Sequence, residues 1–190
     1  MHHEQQLVER AQAGDASAAG LLYESYFPKV YRYVVLRVGE PATAEDITED
    51  VFLKMLEAIG SFRFTGAPFS SWLFRIAHNQ VIDHHRRRGK GQPAPVDEGI
   101  AAPGNADPAV GAPARLHFGE LREALQRVTT AQQQVVALRF AAGLSIAETA
   151  RVMGRSQGAI KALQHSAVQA LRRLLAQGGS DLGQTEDYER

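Results

Sequence analysis

The chain has 190 residues, 44% of them hydrophobic, with 21 basic and 21 acidic side chains, a length that supports one large domain or two small ones, each with its own core. It contains no cysteine, which excludes disulfides and thiolate metal sites and fits a reducing compartment. There is no run of about 18 apolar residues and no charged-then-apolar leader, so neither a membrane span nor a signal peptide is expected.

Residues 4–13 and 16–38 read as two helices broken at Gly14 and Asp15, with Asp15 placed to cap the second. Leu21, Leu22, Phe27, Val30, Tyr31, Val34 and Val35 form its expected buried face, and Pro28 is expected to bend it. After a turn over 39–42, Thr43 with Asp46 opens a third helix that runs to about Ile59. Ile47, Val51, Phe52, Met55, Leu56 and Ile59 share its inner face. The outer face holds Asp46, Glu49, Asp50 and Glu57, with Leu53 set among them. Acids early in a helix suit its dipole, which is the plain explanation; a leucine among acids also suits contact with a basic protein.

The segment SFRFTGAPFS, residues 61–70, cannot be helical throughout, because Gly66 and Pro68 interrupt it. It carries three phenylalanines and an arginine. Rings on a loop either plug the core or meet bases, which stack on them at about 1–3 kcal/mol each. From Ser71 the chain is helical again. Trp72, Leu73, Ile76, Ala77 and Gln80 face one way, and Arg75, Asn79, Ile82 and Arg86 another. The run Arg86, Arg87, Arg88 either satisfies the helix C-terminus or clamps phosphates. His78 and His85 are about 10.5 Å apart by helical rise, too far to share one metal ion, so no metal and no other cofactor is assigned.

Residues 89–114 contain five of the eight prolines and five glycines, the composition of a flexible tether. The first domain therefore spans 1–88. A helix over 116–128 opens the second, 115–176, and Thr130 is placed to cap the next helix, 131–142, which Gly143 ends. Ser145 and Glu148 form a capping box for a short helix with Ile146, Ala147, Ala150, Val152 and Met153 inward. Gly154 permits a sharp turn, and Ser156 caps a last helix whose stripe is Ile160, Leu163, Ala167, Ala170, Leu171 and Leu174, with Gln157, Lys161, Gln164 and His165 opposite. The pattern is that of a DNA-reading helix-turn-helix, or of an ordinary helical hairpin with a solvated face. Charge favours DNA: residues 115–176 carry nine basic and three acidic side chains, while 91–114 and the tail 177–190 are acidic. The tail is expected to be disordered.

Two blocks together carry a resemblance: AEDITEDVFLKMLEAI followed by FSSWLFRIAHNQVIDHHRRR, and QQQVVALRFAAGLSIAETARVMGRSQGAIKALQHSAVQALRRLL. The chain resembles a bacterial RNA polymerase sigma factor of the extracytoplasmic-function group. The resemblance implies an all-α protein with two small helical domains, one like sigma region 2 and one like the region 4 helix-turn-helix, joined by a flexible linker. It implies a non-catalytic promoter-specificity subunit, cytoplasmic and associated with the nucleoid through polymerase. Core polymerase would be bound at its clamp helices by Asp46, Glu49, Asp50, Leu53 and Glu57, and at its flap by the second domain. The −10 element would be captured and opened by Phe62, Arg63, Phe64, Phe69, Trp72, Arg75, Asn79, Asp83, Arg86 and Arg87. The −35 element would be read by Arg155, Ser156, Gln157, Ala159, Lys161, Gln164 and His165. The tether would follow the RNA path, and an anti-sigma factor would be a further partner. Leu163 and Ser166 stand where many members carry arginines, so phosphate clamping is expected to be lighter.

Two other classes remain open on residues alone. A stand-alone regulator would bind a duplex operator and ignore polymerase. An enzyme on nucleic acid would need Asp46, Glu49, Asp50 and Asp83 gathered around magnesium, and they are spread over helices.

Overall fold

Arg10 pairs with Asp15 at 2.6 Å, and Asp15 also accepts from the amides of Ser17 and Ala18. The carboxylate thus closes α1 (His2–Gln12) and opens α2 (Ala16–Val38). The computed structural model describes residues 2–89 and 120–181; nearly all of the expected tether, the start of the helix expected at 116 and the tail beyond 181 lie outside them. Helix α2 continues through Pro28. Pro28 and Glu24, whose carbonyl loses its helical partner, both face solvent, so water can take the missing bond. Its buried stripe is rotated from the expected one: Leu22, Tyr26, Val30, Tyr33, Val34 and Arg37 point inward, while Leu21 is exposed. The tyrosines turn inward because their hydroxyls find partners there, Tyr26 on Glu4 and Tyr33 on His78.

Helix α3 (Pro41–Ala58) starts before Thr43, with Glu40 as its cap. Pro41 is preset for a first helical position, and the Glu40 carboxylate accepts from the amides of Ala42 and Thr43. A 3₁₀ turn, Ile59–Ser61, leads out of it, and α4 (Phe69–Gly89) follows the interrupted segment. Leu7, Val8, Leu22, Val30, Tyr33, Val51, Met55, Leu73, Phe74 and Val81 are buried between α1, α2, α3 and α4. Among the described residues there is no strand.

In the second half, residues 120–126 form α5 and α6 spans Thr130–Val136. Its cap is Thr129, not Thr130, because Gln132 lies three positions on and completes a reciprocal capping box. The chain then widens into a π turn, Ala137–Ala141, instead of continuing as α-helix: the amide of Ala142 bonds the carbonyl of Ala137 at 2.9 Å. Helix α7 (Ile146–Met153) has the expected Ser145–Glu148 box, and α8 (Gln157–Asp181) begins with Ser156 accepting from Ala159 N–H at 3.2 Å. Between them Gly154 sits at φ 62. A Cβ there would meet nothing within 4 Å, so Gly154→Ala isolates the backbone cost of the left-handed turn. It should lower stability by about 1 kcal/mol in urea unfolding without altering the helical content.

The two halves share a core. Ala137, Leu138, Ala142, Leu144 and Val152 belong to the cluster built by α1, α2, α3 and α4, so α2 lies on the π turn and α4 on α7. A second cluster, including Leu125, Val135, Val136, Ile160, Ala167 and Leu171, holds α5, α6, α7 and α8 together.

Candidate nucleic-acid interface

Three surfaces carry the residues singled out from sequence. On α3, Asp46, Glu49, Asp50 and Glu57 are all exposed. Leu53 is 59% exposed among them, and Leu56, expected inside, is 50% exposed and extends the apolar strip. Two leucines in water on an acidic helix face have the chemistry to meet a surface that is both apolar and basic.

The second surface is the turn over 62–68 with the outer face of α4. Phe62 and Phe69 are core side chains, which corrects their assignment to bases. Phe62 packs on Phe69 and, at 5.1 Å between ring centres, on the half-buried Trp72. They hold the turn from beneath, because a glycine and proline turn has no hydrogen-bond ladder of its own and is kept in shape by the rings under it. Phe64 alone of these three is exposed, seated edge-on over Phe62 at 4.8 Å. Arg63 caps the carbonyls of Gly60 and Phe62, both at 2.8 Å. Along α4, Arg75, Asn79, Ile82 and Arg86 are exposed on one face, Arg87 and Arg88 are exposed on other sides of the last turn, and Asp83 is paired to Arg86 at 3.1 Å. Cations and an amide beside one exposed ring suit a single strand held by its phosphates and stacked base.

The third surface is the start of α8, where Arg155, Ser156, Gln157, Gly158, Ala159, Lys161 and His165 are exposed. Gln164 differs from its expected placement. It is half-buried and its Oε1 accepts from Arg139 Nε at 2.9 Å, so the amide is anchored to the π turn. Ser166 is likewise held, by Gln132 Nε2 at 2.9 Å. Arg139 and Gln132 were not singled out from sequence; their partners lie 25 and 34 residues away, beyond any helical spacing.

The structure brings the second and third surfaces together through α7. Arg75 donates to the carbonyl of Arg151 at 2.9 Å, and Arg151 donates to that of Gly66 at 2.8 Å. The Ser70 hydroxyl bonds the Glu148 carboxylate. Burial pushes the Glu148 carboxyl up, but hydrogen bonds from Ser145 and Ser70 outweigh it and hold the group below its ordinary value. A second set of contacts lies between α2, α4 and α6. Arg37 reaches Thr130 O at 3.3 Å and Gln133 Oε1 at 3.2 Å, and Gln134 Nε2 approaches His78 Nδ1 at 2.9 Å. Nothing in local periodicity marks these residues, since each is an ordinary helical position until the other half arrives.

Among the described residues, no group of three or more His, Asp or Glu side chains could hold a metal ion, and no helix is long and apolar enough to cross a membrane.

Two family models match the chain: Sigma-70 region 2 over residues 22–91 and Sigma-70, region 4 over residues 124–173. The chain is 46% identical over 171 residues to the ECF RNA polymerase sigma factor BldN of Streptomyces coelicolor, covering 90% of this chain and 65% of that protein, so it spans just under two thirds of that relative. It is 33% identical over 174 residues to the ECF RNA polymerase sigma factor SigD of Mycobacterium tuberculosis, covering 87% and 81%. Among solved structures, CnrH in complex with the cytosolic domain of CnrY superposes with a TM-score of 0.71 at 25% identity, covering 91% of this chain and 97% of that one. RpoE of Bartonella quintana, solved with the anti-sigma factor NepR, shares the fold, with a TM-score of 0.66 at 22% identity over 83% of this chain and 96% of that one.

Proposed function

The chain belongs to the extracytoplasmic-function sigma factors, the promoter-specificity subunits of RNA polymerase, and from that premise we propose how its surfaces divide the work. The strip on α3 formed by Asp46, Glu49, Asp50, Leu53 and Glu57 grips core polymerase at the clamp helices, and the second domain docks on the flap. Phe64, Arg63 and the outer face of α4, from Arg75 through Asn79 to Arg86, hold the opened −10 strand, with Arg87 beside that face in the last turn and Trp72 supporting it. The first turns of α8, around Arg155, Gln157, Lys161 and His165, enter the major groove at −35. Arg139 turns Gln164 aside, so Gln164 supports that helix more than it reads bases.

This division suits the chemistry of each element. A duplex −35 element presents base edges to a helix, whereas the −10 element has to be taken out of the stack before a pocket can hold it. The domains so assigned are 1–88 and 115–176, with 89–114 as tether and 177–190 as tail. The protein carries no chemistry of its own in this reading, and it works in the cytoplasm, on the nucleoid through polymerase. An anti-sigma partner is part of the proposal, supported by the partner-bound relatives above.

The observation that carries the reading is Leu53 standing in water among carboxylates on α3. Reconstitution with core polymerase tests it: the complex should form stoichiometrically and give promoter-dependent run-off transcripts. Core polymerase that stayed inactive on every promoter of a library would reject it. Lys161→Ala should weaken promoter binding, lower the slope of log affinity against log salt by about one, and leave assembly with core unchanged. Loss of polymerase affinity would show that α8 is assigned to the wrong partner.

A further inference from the structure

We propose that Arg139 is a positioning residue for promoter recognition: from the π turn it holds α8 at the one rotation in which Gln157, Lys161 and His165 meet the base edges of the −35 element. The inference rests on the assignment of α8 to that element and adds to it a residue that acts through Gln164, without touching a base.

Viewed along α8 at about 100° per residue, Ile160, Leu163, Ala167 and Leu171 fall within an arc of about 80°. Ile160, Ala167 and Leu171 are buried in the second cluster, and Leu163 and Ala170 pack against it. Apolar burial is non-directional, and with alanine at 167 and 170 the stripe presents few large side chains to lock the helix against turning about its own axis. The directional contacts stand at the two edges of the stripe. Gln164, about 20° beyond one edge, accepts at Oε1 from Arg139 Nε at 2.9 Å. Ser166, about 60° beyond the other, is held by Gln132 Nε2 at 2.9 Å.

Chemistry fixes the roles in the Arg139 contact. A guanidinium only donates, so the oxygen of the Gln164 amide has to face it. Arg139 Nη1 donates to the carbonyl of Leu144, next to the Ser145 cap of α7. One rigid fork therefore ties α8 to the start of α7. Among the described residues no carboxylate pairs with Arg139, so nothing draws the fork elsewhere.

The geometry says what loosening this tie does. Side-chain tips lie about 6 Å from a helix axis, so a turn of about 15° would carry the exposed tips of Gln157, Lys161 and His165 by about 1.5 Å. Hydrogen bonds to base edges tolerate about 0.5 Å in length, whereas attraction between basic groups and phosphates reaches about 8 Å in physiological salt. Loss of the tie should remove discrimination between sequences and spare the affinity that is independent of sequence.

Holoenzyme reconstituted from core polymerase and the full chain tests this on promoters randomised over the −35 element, by sequencing the transcripts. Affinities for the best and for a scrambled −35 element, each beside the same −10 element, then give a discrimination ratio. Arg139→Met keeps the stem without the donors and should lower that ratio about tenfold, the worth of one well-made base contact, with the loss spread over several base pairs. Affinity for the scrambled promoter, its dependence on salt and assembly with core should stay as they are; a chain that was merely destabilised would lose both affinities together. Gln164→Ala cuts the same tie from the half-buried partner's side, which keeps the test open if Arg139→Met disturbs the turn. It should have the same effect, and the double variant should be no worse than either single one. Arg139→Met with Gln164→Leu replaces the bond by an apolar contact beside Ile160 and Leu171 and should recover most of the discrimination. Equal losses on both promoters with a salt slope lowered by about one would make Arg139 a phosphate contact and overturn the proposal. A Gln164→Ala loss confined to one base pair would make Gln164 a reader and overturn it too. A wild type without −35 preference removes the assignment of α8 and this inference with it, whereas a discriminating wild type beside an equally discriminating Arg139→Met chain overturns the inference alone.

Discussion

Leu53→Asp should reduce the affinity for core RNA polymerase by about 100-fold, near 2.7 kcal/mol, while promoter-element binding by the second domain and the melting temperature stay as they are. Three observations set that size. The side chain is 59% exposed and makes no contribution to the core, so folding has little to lose. It lies at the centre of an acidic face with Leu56 one turn on, the position where an apolar anchor ringed by polar groups carries most of an interface. Finally, aspartate replaces the anchor by a charge that must be dehydrated against whatever apolar surface the partner presents. Titration of labelled protein against core polymerase measures it, with Leu56→Asp as a weaker companion. A Leu53→Asp chain that assembles normally would refute the contact on α3.

Phe74→Ala should be the most damaging substitution for stability, lowering it by about 3–5 kcal/mol. Phe74 is fully inaccessible, and its ring meets Tyr33 edge-on at 5.7 Å between centres. Truncation removes the transfer energy of the ring, leaves a cavity between α2 and α4, and withdraws a packing partner from Tyr33, whose hydroxyl meets His78. Native domains hold only about 5–15 kcal/mol in total. The variant should therefore unfold at markedly lower urea, followed by tyrosine and tryptophan fluorescence. A loss below 1 kcal/mol would mean that the site collapses around the gap, and that α4 is less tightly fastened than its burial indicates.

Local rules were legible where one residue decides locally. Asp15, Ser145 with Glu148, Gly154 and Ser156 were visible as caps and turns because a cap needs only its own side chain and amides within three positions. Where the caps differ from that reading, the cause is also local. Glu40 displaced Thr43 because Pro41 already fits a first helical position, and Thr129 displaced Thr130 because Gln132 stood at the reciprocal distance. The inward turn of Tyr26 and Tyr33 was hidden, since their partners Glu4 and His78 lie 22 and 45 residues away. Phe62 and Phe69 show in the sequence as rings at a loop, and it is their packing on each other, on Trp72 and, for Phe69, on Tyr26 of α2 that puts them in the core.

The sequence by itself determined an all-helical chain in two domains, the helix-turn-helix, the acidic α3 face with Leu53 upon it and the basic outer face of α4, because amphipathic period, capping chemistry and charge are written residue by residue. The tertiary structure alone decided that the two domains close on each other, that Arg139 restrains Gln164, and that Arg37, His78 and Gln134 meet. Those are contacts between positions that local periodicity does not relate. They arise when Leu138 and Leu144 leave water for a core supplied by the other half of the chain.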